Sequence, residues 1–201
     1  MIVLAGPSGA GKSRLCHLLG LPFVNLDDFY KDGADPTVPR RRLGPGREVQ
    51  DWDDPRSWLR EEAVATLARI CHDGSADVPV YEISRDGRVG HRTFDVGASR
   101  FFVAEGVFAQ EVVPDCREQG ILADAICVRN PRPVTFWRRL TRDLREHRKP
   151  PWVLLRRGVL LARTQPAVVA HAVARGCVPL SPGAAEVRIR RLVQAGARVS
   201  S

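Results

Sequence analysis

Apolar residues fall in short blocks along this chain, separated by glycine, proline and charge, and the spacing within each block predicts alternating strands and helices. Ile2 to Ala5 is an apolar run of strand length that breaks into glycine, Lys12 to Leu19 has helical spacing, and Phe23 to Leu26 predicts a second strand ending in Asp27-Asp28. That order is a β-loop-α-β unit. From Lys31 to Asp54 proline, glycine and charge displace the apolar positions, which predicts a long functional loop. Pro55 to Cys71 predicts a helix with proline in its first turn and Trp58, Ala63, Leu67 and Ile70 as its apolar positions. Val78 to Ile83 and Arg88 to Phe94 predict a hairpin turning through Ser84-Arg85-Asp86-Gly87.

The FFVA run in Arg100 to Ala104 has no polar face and predicts a strand of a parallel sheet covered on both sides. A helix near Phe108 to Gln119 and a strand over Ala123 to Val128 follow. Helical patterns at Pro131 to His147 and Trp152 to Ala174 are split by Pro150-Pro151, and a strand near Cys177 to Leu180 and a helix from about Ala184 to Ala195 complete the chain. The alternation predicts a single α/β domain over 1–201, three-layered α/β/α around a central parallel sheet. An insertion over about 27–99 carries the small β-hairpin, and a basic helical lid covers about 131–163.

At 201 residues the chain is long enough for one well-buried core. Its 44% hydrophobic content and lack of low-complexity tracts exclude a disordered or fibrous protein. Five cysteines with no C-x-x-C pair point to free thiols in a reducing cytoplasm rather than a disulfide framework or zinc site. No apolar run reaches the roughly 20 residues needed to span a bilayer, and MIVLAG is no signal peptide, so a soluble protein with no membrane partner is expected. The net charge of +8 is almost wholly arginine, concentrated in Arg40 to Arg42 and in Arg129 to Arg163. With few aromatics among its arginines this charge fits polyphosphate better than nucleic acid.

The chemistry is densest at Gly6-Pro7-Ser8-Gly9-Ala10-Gly11-Lys12-Ser13, a match to G-x-x-x-x-G-K-[ST] with the required strand before and helix after it. In such a loop the backbone amides and the helix N-terminus cradle phosphates, Lys12 reaches the β and γ phosphates, and the Ser13 hydroxyl ligates magnesium; Arg14 follows as a further ATP-side cation. ATP and Mg2+ are thus the expected ligands, a chance match on a solvated turn being the bland alternative. Asp27 or Asp28, at a strand's carboxyl end, can take the proton of an attacking hydroxyl or merely cap a turn. Glu105, closing the FFVA strand, is a magnesium-associated acid or a surface carboxylate. Asp51, Asp53 and Asp54 either chelate hydroxyls or cap the helix that Pro55 starts. Arg138, Arg139, Arg142, Arg145, Arg148 and Lys149 form a basic lid over the phosphates or a solvated helix.

GPSGAGKS, LDDFYKD at 26–32, DWDDP at 51–55, VPVYE at 78–82, AEGVF at 104–108 and RDLREHRK at 142–149 occur in the order seen in uridine kinases, and from Ile2 to about Lys149 the chain resembles that family. The wider group includes phosphoribulokinase, pantothenate kinase and nicotinamide riboside kinase. The resemblance implies an ATP-dependent kinase acting on a hydroxyl of a small, nucleoside-like acceptor. It makes Asp27 the general base and places Tyr30, Asp53 and Tyr81 around the acceptor. It also makes Ser13 with Glu105 the magnesium site and Arg142 with Lys149 lid cations. The histidine that usually follows the P-x-Y-D segment is absent, since Glu82-Ile83-Ser84-Arg85 stands there, and Pro39-Arg40-Arg41-Arg42 offers cations to an acidic acceptor. An ATP-binding regulatory protein with this fold is the alternative, a nucleic-acid-stimulated ATPase ranks last, and a homo-oligomer is left open.

Overall fold

The computed structural model describes residues 1–44, 46–131, 134 and 165–198. Five short strands form one parallel sheet in the order β2 (Phe23–Asn25), β7 (Val103–Glu105), β1 (Ile2–Ala5), β8 (Asp124–Val128), β9 (Val178–Leu180). The registers place Ile2 beside Val103 on one side and Asp124 on the other. Both faces are apolar, as the FFVA run required. Val3, Ala5, Val24, Ala104, Ala125 and Cys127 pack toward α2 (Arg60–Asp73) through Ala63, Leu67 and Ile70. The alternate positions Ile2, Leu4, Val103, Ile126 and Val128 meet Leu15 and Cys16 of α1 (Lys12–Leu19) and Ala185 and Ile189 of α5 (Pro182–Arg198). The side-chain period of two in the strands thus produces the three-layer α/β/α arrangement. The same alternation accounts for the doubly apolar sequence of every central strand.

Two hairpins stand apart from the sheet. β5 (Ser75–Glu82) and β6 (Gly87–Asp95) pair antiparallel, and the turn between them holds Asp86 at φ 46, a left-handed value that Asp tolerates. The second hairpin corrects the expectation of a structureless loop over Lys31 to Asp54: Arg40–Gly44 (β3) pairs with Arg47–Gln50 (β4). The glycines at 44 and 46 permit the reversal, and the Arg42–Glu48 pair at 3.1 Å bridges the two strands.

Three further boundaries differ from the expectation. The helix expected from Pro55 is a 3-10 turn over Pro55–Ser57, and α2 begins only at Arg60. Trp58 interrupts it in an extended conformation, because its buried indole N–H donates to the Leu26 carbonyl at 2.7 Å while its backbone bridges Tyr30. The Phe108 to Gln119 helix divides into a 3-10 turn at Ala109–Val112 and α3 (Val113–Glu118), with Pro114 in the first turn of α3. Leu26 leaves the second strand for a 3-10 turn, Leu26–Phe29, capped by the Asn25 side chain. Residues 165–174 form a helix, α4. Apart from residues 131 and 134, the lid expected over about 131–163, including Arg138, Arg142, Arg148 and Lys149, lies outside the described residues. All five cysteines are free thiols, and among the described residues no helix is long and apolar enough to cross a membrane.

Candidate active site

Because the five strands run parallel, their carboxyl ends share one edge, where open α/β folds gather ligands. β1 delivers the glycine-rich loop of residues 6–13 there, β7 delivers Glu105, β2 delivers Asn25 and Asp27, and β8 delivers Asn130. An open cleft of about 640 Å³ lies on this edge, lined by loop residues Ser8, Gly9, Gly11, Lys12, Ser13 and Arg14, and by His17, Phe23, Asn25, Asp27, Glu105 and Val107. Pro7 and Ala10 close the turn from below, the Ala10 amide donating to the Pro7 carbonyl at 3.1 Å.

The glycines of the loop are structural requirements. Gly6 has φ +133, and a Cβ on it would lie 2.4 Å from the Val128 carbonyl oxygen, so only glycine lets β1 leave the sheet so close to β8. Gly9 and Gly11 take φ 82 and 96, turning successive amides to one side. Lys12 is 7% exposed and donates to the Gly6 carbonyl at 2.9 Å, which arches its side chain over the loop.

Ser13 Oγ donates to Glu105 Oε1 at 2.6 Å, joining the two groups expected to hold a cation. Burial pushes the Glu105 carboxyl above the usual carboxylate range, against the downward pull of Lys12 and Ser13. Among the described residues no cluster of three or more His, Cys, Asp or Glu could hold a metal. A hydroxyl and one or two carboxylates do fit Mg2+, which completes its shell with water and substrate phosphates.

Asp27 and Asp28 diverge. The Asp27 amide donates to Asn25 Oδ1 at 3.1 Å, and its carboxylate Oδ1 accepts the Val107 amide at 2.7 Å, so Asp27 faces the cleft. Gly106 makes that approach feasible: a Cβ there would sit 2.9 Å from Asp27 Oδ1. Asp28 turns toward the β5–β6 hairpin, where the Tyr81 amide and Arg92 meet it; burial nonetheless raises its carboxyl above the ordinary range.

Tyr30 and Tyr81 lie beyond that cleft, in an aromatic cluster. Tyr30 contacts Trp52, Tyr81 and Phe108 at ring-centroid distances of 5.8, 5.9 and 5.8 Å, and its hydroxyl donates to the Trp52 carbonyl at 3.1 Å. The Tyr81 phenol is pushed up to about 12, first by burial and then by Asp86 and Asp32. The DWDDP acids separate: Asp54 accepts from Arg56 N and caps the 3-10 turn, while Asp51 and the exposed Asp53 flank Arg41 at 3.5 and 3.4 Å. Asp53 does not line the cleft that holds Asp27.

Several residues of this edge were not anticipated. Asn25 precedes an Asp-Asp turn, the place where a capping side chain is expected, and Gly106 directly follows the strand-ending acid; both signals are local. Arg88 has no local signal: it is bidentate to Glu62 at 2.9 and 3.0 Å and donates to the Tyr30 carbonyl at 3.3 Å, fastening the β5–β6 hairpin, α2 and the segment at Tyr30 together.

No family model matches the chain. Two curated proteins of Arabidopsis thaliana align with 54% of it: inorganic pyrophosphatase TTM2, 31% identical over 113 residues, and inorganic pyrophosphatase TTM1, 29% identical over 114 residues. The chain spans only 15% and 16% of their lengths. Among solved structures, a protein of Silicibacter sp. TM1040 provisionally named a fructose transport system kinase superposes with a TM-score of 0.57 at 18% identity, over 90% of this chain and 86% of that one. A protein of Bacillus stearothermophilus provisionally named a uridine kinase superposes with a TM-score of 0.50 at 17% identity, over 90% and 87%. At these identities the likeness is one of fold, a central parallel sheet layered by helices on both faces.

Proposed function

We propose that this chain is an ATP-dependent kinase that moves the γ-phosphate to a hydroxyl of a small uncharged acceptor, a nucleoside or a similar polyhydroxylated metabolite. The observation that carries the reading is the convergence of Lys12, the Ser13–Glu105 pair and the amide-held Asp27 on one cleft. With Oδ1 of Asp27 engaged by Val107, Oδ2 is left to accept the proton of the attacking hydroxyl. Lys12 and the loop amides offset charge on the transferring phosphoryl group. Ser13 and Glu105 would hold Mg2+, which would offset part of the charge on the phosphates of ATP.

An uncharged acceptor fits the electrostatics of the aromatic cluster better than an acidic one. Two of the three PRRR cations and the half-buried arginine of the hairpin are matched: Arg41 by Asp51 and Asp53, Arg42 by Glu48, Arg88 by Glu62. Asp32 and Asp86 meanwhile lie close enough to Tyr81 to raise its phenol. A phosphate or carboxylate brought to that side would meet carboxylates first.

The test is ADP release from MgATP, scanned against uridine, cytidine, other nucleosides, and phosphorylated or carboxylated alcohols. Stimulation by an uncharged nucleoside supports the reading, and stimulation only by anionic alcohols moves the substrate class. ATP binding with no acceptor-dependent ADP supports instead a regulatory protein. That reading is favoured by Glu82, which stands after Tyr81 and spends its carboxylate on Arg85 and Ser84 at the surface.

A further inference from the structure

Asn130 and Gln165 belong to no phosphate-binding motif, yet they brace the phosphate loop from outside. Asn130, just past β8, donates from Nδ2 to the Ala10 carbonyl at 2.7 Å. Gln165, 35 positions further on and the first described residue of α4, donates from Nε2 to the Asn130 carbonyl at 2.8 Å. Gln165 is 6% exposed, and its Oε1 has no partner among the described residues. A buried amide with one end unsatisfied is destabilising beside an apolar side chain of the same length, so packing alone does not account for it.

The carbonyl that Asn130 secures lies at a pivot of the loop. Ala10 sits between Gly9 and Gly11, both in left-handed conformations, so the peptide that joins Ala10 to Gly11 is free to pivot unless something holds it. In a planar trans peptide the carbonyl and the following N–H point in opposite directions. Holding the Ala10 carbonyl toward Asn130 therefore aims the Gly11 amide the other way, into the cleft that Gly11 lines.

We propose that Asn130 and Gln165 are positioning residues for nucleotide binding: Asn130 fixes the Ala10–Gly11 peptide so that its N–H faces the phosphates, and Gln165 fixes Asn130. The inference needs a phosphate-binding loop but no particular acceptor, so it stands or falls apart from the acceptor assignment. The test measures MgATP and AMP affinity, and the melting midpoint without nucleotide, in Asn130→Ala, Asn130→Ser, Gln165→Met and Asn130→Ala/Gln165→Met. Methionine keeps the volume of Gln165 and removes both its donor and its unsatisfied acceptor. Loss of one well-oriented hydrogen bond predicts about tenfold weaker MgATP binding for Asn130→Ala and about threefold for Gln165→Met, with the double variant no weaker than Asn130→Ala alone. AMP, which has no β or γ phosphate for the loop, should bind unchanged, and the melting midpoint should fall only by the few degrees that one lost buried hydrogen bond costs. MgATP affinity within twofold of wild type in either Asn130 variant overturns the proposal, as does equal loss for AMP and MgATP.

Discussion

Gly106→Ala adds one methyl group behind the proposed base and tests whether its orientation limits the reaction. The new Cβ would lie 2.9 Å from Asp27 Oδ1, 2.9 Å from Leu26 Cβ and 3.4 Å from the Asp27 amide nitrogen. Leu26 is fully buried in the core and cannot retreat, so the carboxylate is the partner that moves. Its movement breaks the 2.7 Å bond from the Val107 amide, a charge-assisted hydrogen bond of a kind worth about 1.5–3 kcal/mol. A displacement of about 1 Å at a reacting group costs up to roughly a hundredfold in rate. Together these predict kcat lower by about 10- to 100-fold with MgATP affinity within about twofold, because Gly106 does not line the cleft. The assay is acceptor-stimulated ADP release, with MgATP affinity measured separately by equilibrium titration. A variant that keeps kcat within twofold would refute the claim that the Val107 amide sets the base.

Asp27→Asn should retain MgATP affinity within about twofold while turnover falls by at least about 100-fold; equal turnover in single-turnover kinetics would remove Asp27 from the base role. Glu105→Gln links function to stability. A carboxyl raised by burial binds its proton more tightly folded than unfolded, so it weakens the fold as pH rises above the ordinary carboxylate value. The glutamine variant should therefore melt higher than wild type at neutral pH without nucleotide, match it at acid pH, and lose magnesium-dependent ADP release; a variant melting lower at neutral pH would contradict this. Arg88→Ala should destabilise by about 1–3 kcal/mol, as loss of a bidentate pair on an 18% exposed arginine requires, and raise the acceptor KM more than that of ATP. A double-mutant cycle with Glu62→Ala reads the coupling directly. Trp58→Phe, which orphans the Leu26 carbonyl, should cost about 1–3 kcal/mol in urea unfolding; a loss below about 0.5 kcal/mol would show that packing alone holds that indole.

What the sequence displayed was local. The phosphate loop, the strand before it and the helix after it lie within twenty residues, and each piece carries its own signal in glycine or apolar spacing. Asp27 and Glu105 were readable because acids at strand ends in a parallel sheet share one edge. Distance erased the rest. Nothing near Asn130 announces Ala10 or Gln165, and nothing near Arg88 announces Glu62, because those contacts exist only once the sheet has assembled. Trp58 looked helical because its apolar spacing was helical; its tertiary hydrogen bond to Leu26 overrode the period. The β3–β4 hairpin was hidden because its strands, RRRLG and REVQ, are mostly charged or polar and carry no hydrophobic alternation.

The strand order also bears on how the molecule is made. Ile2 pairs with Val103 and with Asp124, so the first strand waits for partners roughly a hundred positions away, and such long closures fold slowly. A chain growing from its N-terminus displays the glycine loop long before β7 and β8 exist to brace it. Truncations ending before Asp124 should therefore carry the complete motif and still gain no protection from protease on addition of MgATP, which stabilises only a state able to bind it. Protection should begin in fragments that extend past β8.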